Sequence, residues 1–132
     1  MKASDLKVLI VDDDSSSRNL LRQVLAKFSI EDISEADDGI SAIELIDNFH
    51  GDEKAFDLIL CDYMMANMDG QNFFDWVMRS QKCSSTQFIM VSSFDESSHI
   101  EAMGNSGITN YILKPLDPQV VWSKVSLVCG LE

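Results

Sequence analysis

The chain has 132 residues, 45% of them apolar, and carries a formal net charge of −12. That length holds one domain around one core, expected to span residues 1–132, and the composition excludes a disordered chain. The acidity excludes nucleic acid and an anionic membrane surface as direct partners, since both are gripped through Lys and Arg; it fits solubility, or a cation site if several of the acids converge.

There are three cysteines, Cys61, Cys83 and Cys129. An odd number with no metal-ligand spacing points to a reducing compartment, and Cys61 lies in an apolar run as a core residue would. No apolar run approaches the length of a membrane span. The run over 6–11 is too short for a signal peptide and meets three aspartates, so the expectation is a cytoplasmic protein.

Taken in order, Lys7-Val-Leu-Ile-Val11 is an apolar, β-branched run of strand length that ends in Asp12-Asp13-Asp14. Residues 15–28 are predicted as a helix capped by Asp14 or Ser15, with Leu20, Leu21, Val24, Leu25 and Phe28 on one face. A weaker strand over 32–36 leads to an Asp38-Gly39 turn and a helix over 40–48, with Ile43 and Ile46 inward. Residues 50–56 are polar and loop-like. The third strand, 58–61, is apolar throughout, as in the middle of a parallel sheet, and delivers Asp62 at its end. Asn67 to Gly70 has turn composition, with Gly70 supplying backbone freedom. A helix over 71–80 presents Phe74, Val77 and Met78. The fourth strand, 87–91, ends in Ser92-Ser93. A polar helix over 97–106 closes at Gly107. The fifth strand, 110–113, ends in Lys114-Pro115, and the last helix, 118–130, has Val121, Val125 and Val128 as its core stripe. Five strand–helix units with short connections define an α/β fold, (βα)5, with a doubly wound five-stranded parallel sheet between two helix layers.

Right-handed crossovers bring every strand's carboxyl end to one edge of such a sheet. Asp12, Asp13, Asp62, Ser92 and Lys114 therefore meet in one crevice. Singly each has an ordinary explanation: a solvated helix start for Asp12 to Asp14, a turn for Asp62, a loop for Ser92 and a surface lysine for Lys114. Together they form a constellation. Three carboxylates in one place repel, and a divalent cation such as Mg²⁺, which takes hard oxygen ligands and often a phosphate, relieves them. The cation and Lys114 neutralise the charge that keeps a carboxylate from attacking an anionic phosphoryl group, and Ser92 can donate to a phosphoryl oxygen. The deduced chemistry is covalent phosphorylation of Asp62.

With these pieces in place the sequence resembles the receiver domain of two-component response regulators, of the single-domain kind that regulates chemotaxis, from about residue 7 to 128. The matching pieces are Asp12-Asp13, Leu-Cys-Asp62-Tyr-Met-Met-Ala-Asn-Met-Asp-Gly, Val91-Ser92-Ser93 and Tyr111-Ile-Leu-Lys114-Pro115. The resemblance implies a flavodoxin-like strand order 2-1-3-4-5. It implies Asp62 as phosphoacceptor, Mg²⁺ held by Asp12, Asp13, Asp62 and the backbone carbonyl of Met64, and phosphoryl contacts from Ser92 and Lys114. Tyr111 is then the aromatic that changes rotamer as Ser92 moves, and Lys114-Pro115 the cis peptide, cheap only before proline. Output is expected from the face shared by the 97–106 helix, the fifth strand and the last helix, with Ile100, Tyr111 and Trp122 on it. The implied partners are a sensor histidine kinase or His phosphotransfer protein and a downstream protein target, with room for a phosphorylation-dependent homodimer. Such a protein is no enzyme beyond catalysing its own phosphorylation and dephosphorylation.

Two positions depart from the family pattern. Ala66 stands where proline is usual, which predicts a less rigid loop, and Ser92 replaces the commoner threonine but keeps the hydroxyl. Met64 and Phe94, each two positions past a site residue, are apolar and cannot hydrogen-bond an attacking water, which predicts slow self-dephosphorylation. Three rival readings are weaker. A haloacid-dehalogenase-type phosphatase would use Asp12-x-Asp14 and leave Asp62 without a role. A flavodoxin-like binder would set a flavin phosphate against three aspartates. A receiver fold that takes no phosphate would act only as an interaction module.

Overall fold

In a computed structural model, residues 1–49, 55–93 and 107–132 are described. Five parallel strands, β1 (Lys7–Val11), β2 (Asp32–Ala36), β3 (Leu58–Asp62), β4 (Gln87–Ser92) and β5 (Tyr111–Leu113), form one sheet in the order β2-β1-β3-β4-β5. The expected fold class and strand order are therefore found. Among the described residues the α-helices are α1 (Ser15–Ala26), α2 (Gly39–Asp47), α3 (Gly70–Arg79) and α4 (Pro118–Cys129). The expected helix over 97–106 lies outside the described residues, as do Phe94 and Ile100; Gly107, which was to close it, has a left-handed φ of +93°.

Strand alternation divides the core into two layers. Leu9, Val11, Ile59, Cys61, Phe88 and Met90 point to one face, where Ala42 and Ile46 of α2 and Phe73, Phe74 and Val77 of α3 cover them. Val8, Ile10, Leu58, Leu60, Ile89 and Val91 point to the other, under Leu21, Val24 and Leu25 of α1 and Val121 and Val125 of α4. The three central strands are covered on both sides, which is why they read as unbroken apolar runs. β2 is an edge strand with a largely half-exposed pattern, and its polar residues follow from that.

The helix faces differ from expectation in detail. Leu20 and Met78 are solvent-exposed, at 49% and 56%, while Phe73 is fully buried. On α3 the inward stripe is Phe73, Phe74 and Val77, one residue's rotation away from the predicted one. A stripe wider than two positions per turn is ambiguous by that much in a ten-residue helix. α1 ends at Ala26, and Phe28 lies in the turn after it.

The sheet's amino-terminal edge is stitched by Asp57. Its carboxylate accepts from the Lys7 backbone N–H (2.9 Å), its own N–H donates to Lys7 O (2.8 Å), and its carbonyl accepts from Gln87 N–H (2.9 Å). These bonds satisfy the strand starts, so that the opposite, carboxyl edge is left to the functional groups.

Candidate functional site

Strand register sets the site. Val11 pairs with Cys61, Asp62 with Val91 and Ser92 with Leu113, so Asp12, Asp62, Ser92 and Lys114 leave the sheet at nearly the same level. Carboxylate oxygens of Asp12, Asp13 and Asp62 lie within 4.8 Å of one another. Lys114 Nζ stands 3.3 Å from Asp12 Oδ2 and 3.8 Å from Asp62 Oδ1. The Lys114-Pro115 bond is cis, as expected, and the Lys114 N–H donates to Ser92 O at 2.7 Å, fixing the lysine's root to β4. Ser92 itself is fully buried.

The burial is graded. Asp12 is buried, Asp62 intermediate and Asp13 exposed. Burial pushes the Asp62 carboxyl up from 3.8 to about 6; Lys114 pulls it down, and Asp12 and Asp13 push it up again. The neighbouring Cys61 thiol is raised well above its ordinary value by burial and then by the acids around it, so it stays protonated and inert. Asp14 points elsewhere. It caps α1, accepting from Ser16 N–H and Ser17 Oγ, and the Ser17 bond, then the Ser16 bond, lower its pKa.

Gly70 plays a different part from the one expected. Its φ is not in the left-handed region, so conformational freedom is not the reason for glycine. A Cβ there would come within 2.6 Å of Asp62 O, 2.8 Å of Met90 Sδ and 2.9 Å of Tyr63 Cα. The start of α3 is pressed directly onto the backbone that carries Asp62, and only a residue without a side chain fits. Asn67, by contrast, does have a positive φ, +68°.

Several contacts were not foreseen from sequence. Arg18 donates through Nη1 to the Asp12 carbonyl (2.6 Å) and through Nε to Glu35 Oε1 (3.0 Å), and Arg22 also binds Glu35 (2.7 Å). Burial alone would raise Glu35, but hydrogen bonds from Arg22 and Arg18 outweigh it and hold its pKa down. Arg18 lies one helical turn past Asp14, a position from which it reaches back over the strand end, but nothing in the sequence distinguishes it from a solvated arginine. The expected output residues divide. Tyr111 packs against the α2/α3 layer. Trp122 packs in the α1/α4 layer, its ring stacked on Phe28 at 4.9 Å and 11°. It thus lies in the contact between α1 and α4 rather than standing beside Tyr111.

The donor set suits a small hard cation: carboxylate oxygens only, close enough to be drawn onto one ion, with Lys114 balancing them from one side. A parallel α/β sheet of this order, with a central strand that ends in a carboxylate close to two further acids and a lysine, is a doubly wound fold with an acidic cluster at its carboxyl edge. Residues 8–126 match the response regulator receiver domain, and the chain belongs to that family, the phosphoacceptor switches of two-component systems. It is 30% identical over 125 residues to the chemotaxis protein CheY1 of Helicobacter pylori, covering 95% of this chain and 98% of that one. It is also 30% identical to the CheY homolog of Campylobacter jejuni, covering 95% and 93%. Among solved structures, Vibrio cholerae CheY4 matches with a TM-score of 0.79 at 25% identity over 93% of this chain and 98% of that one. A chain of the CheX-CheY-BeF3-Mg+2 complex from Borrelia burgdorferi matches with a TM-score of 0.80 at 27% identity, over 93% of this chain and 88% of that one. The family leaves the phosphatase and flavin-binder readings without support. No helix among the described residues is long and apolar enough to cross a membrane.

Proposed function

We propose that Asp62 is the phosphoacceptor of this receiver and that residues 1–132 act as a single cytoplasmic domain. The observation that carries the reading is the placing of Asp62 at the end of the central strand, with Asp12 and Asp13 on one side and the Lys114 ammonium 3.8 Å away. In the transfer an Asp62 carboxylate oxygen forms a bond to phosphorus as the bond from phosphorus to the donor breaks, and the donor leaves with that electron pair. The donor is a histidine kinase, a His phosphotransfer protein or a small acyl phosphate. Lys114 already lies against both Asp12 and Asp62 and pairs with the phosphoryl oxygens as they arrive. Asp12, Asp13, Asp62 and the Met64 carbonyl would hold Mg²⁺, which would supply charge neutralisation between acceptor and phosphoryl group.

Ser92 is buried and its carbonyl is tied to Lys114. A new anion on Asp62 draws its hydroxyl, and Tyr111, packed one strand away, follows. Output leaves from the side where β5 and α4 meet. On α4 itself Val120 and Leu127 are exposed at 51% and 80% beside Gln119, Ser123 and Lys124, a surface suited to a protein target. Trp122 buttresses α4 from the α1 side. The protein is not a turnover enzyme; its only reactions are gain and loss of its own phosphoryl group.

The test is intact mass after incubation with Mg²⁺ and acetyl phosphate. The expected result is a single phosphoryl adduct on the wild-type chain and none on Asp62→Asn. No adduct, or one that survives in the variant, would overturn the assignment and leave a receiver fold that works by contact alone.

A further inference from the structure

The segment between β3 and α3, residues 63–69, carries the Met64 carbonyl, and it is fastened on two sides. The Ala66 N–H donates to Asp13 Oδ2 at 3.2 Å. Next to it, Asn67 Nδ2 donates to Asp38 Oδ2 at 2.9 Å. Asp38 is the residue that caps α2, its other oxygen accepting from Ser41 N–H at 2.7 Å. Hydrogen bonds from Ser41 N–H and Asn67 hold its pKa down. Beyond Asn67, the Met68 side chain lies over Gly39, where a Cβ would come within 2.9 Å of Met68 Sδ. The segment closes on itself through Met68 N–H to Ala66 O (2.8 Å) and Gly70 N–H to Tyr63 O (2.9 Å).

Two features bear on the metal site. The bond from Ala66 to Asp13 is one that a proline in its place could not make, since proline has no N–H. The segment is thus coupled to a proposed metal ligand by the very residue that costs it the ring's stiffness. Asn67 occupies the left-handed region, which asparagine tolerates better than most residues, and its amide reaches the first turn of α2. Residue type is constrained there twice, by backbone angle and by hydrogen bond.

We propose that Asn67 is a positioning residue for the metal site: by bonding Asp38 it anchors the 63–69 segment to the start of α2, and so holds both Asp13 and the Met64 carbonyl where a cation needs them. The stiffness of the segment comes here from a side-chain anchor one residue after Ala66. The anchor also makes α2 a participant, because the same carboxylate serves its cap and the segment. This rests on the metal assignment under Proposed function.

The experiment is Mg²⁺ titration calorimetry on the wild-type chain, Asn67→Gly, Asp38→Ala and the double variant, with urea unfolding of each. Glycine keeps the positive φ and deletes only the amide. Changing groups that orient ligands typically costs metal affinity about 10–100-fold; an exposed anchor belongs at the lower end, so Asn67→Gly should weaken Mg²⁺ binding about tenfold. Asp38→Ala should do so similarly, and the double variant should be no worse than the weaker single one. Amide exchange at Ala66 in the metal-free wild type gives a readout that needs no variant; it should be slowed, and Asn67→Gly should release it. Wild-type affinity in Asn67→Gly, independent losses that multiply, or open-chain exchange at Ala66 would each overturn the anchor while leaving the metal assignment standing. Failure of the wild-type chain to take up Mg²⁺ would overturn both.

Discussion

Asp62 is held in an environment that disfavours its charge, and this has a measurable consequence for folding. Its side chain is 12% exposed, and its pKa rises from 3.8 to about 6, through burial first and then through Asp12 and Asp13 against the pull of Lys114. A carboxyl whose folded value lies above its unfolded value binds its proton more tightly in the folded protein. Stability therefore falls as pH rises through the window from about 4 to about 6, and the loss is complete above it. At about 1.4 kcal/mol for each tenfold change in proton affinity, the penalty near neutral pH is about 3 kcal/mol. Asp62→Asn removes the charge and keeps the shape. Part of the gain goes to burying an amide, so the variant should be more stable than wild type by about 1–3 kcal/mol in chelator near pH 8. The advantage should vanish near pH 4, where both side chains are neutral. Saturating Mg²⁺ should also erase it, since an ion at about 100 times its Kd stabilises the wild-type fold by about 2.7 kcal/mol and the variant lacks one ligand. Urea unfolding across pH, with chelator and with Mg²⁺, measures all three. An Asn variant no more stable than wild type in chelator near pH 8, or a difference that does not change with pH, would refute the electrostatic account.

Two further outcomes are expected. Gly70→Ala places a methyl 2.6 Å from Asp62 O and 2.9 Å from Tyr63 Cα, where backbone cannot give way. Urea unfolding should show a loss of about 1–3 kcal/mol or more, with slower phosphoryl uptake because Asp62 is displaced; an Ala variant equal to wild type in both would mean that α3 is not pressed on the site. Met64 is 54% exposed two positions past Asp62, and Met64→Asn, which can hydrogen-bond an attacking water, should shorten the phosphoryl lifetime when decay is followed by intact mass. An unchanged lifetime would show that Met64 shields nothing.

The fold was legible because its three central strands are apolar on both faces and each delivers a polar residue at its carboxyl end. The 58–61 run alone located the sheet's centre, and the polar 32–36 run its edge. The constellation of Asp12, Asp13, Asp62, Ser92 and Lys114 was legible for a topological reason: parallel strands align their carboxyl ends whatever the intervening helices do. Helix faces were harder. Leu20 and Met78 sit at the border of their apolar stripes, and tertiary packing, not periodicity, decided that they face water. Gly70 was identified, but for the wrong property, since a sequence does not distinguish a glycine needed for its angle from one needed for its lack of a Cβ. The bonds of Arg18 to Glu35 and of Asn67 to Asp38 were invisible because the partners lie 17 and 29 residues apart and their types are common on any surface. Trp122 is half-buried, as an aromatic off the core stripe should be, but its neighbour could not be read from periodicity, since Phe28 lies beyond the end of α1 in the turn that follows.

That stack has a counterpart across the sheet. The chain holds two tryptophans. Trp122 lies on Phe28 in one helix layer, and Trp76 lies nearly parallel to Phe73 in the other, ring centres 6.3 Å apart. Each layer therefore contains its own natural fluorophore. Replacing either one leaves a chain whose emission reports on a single side of the sheet, so that the two halves of the hydrophobic interior can be watched separately as the protein melts or is switched.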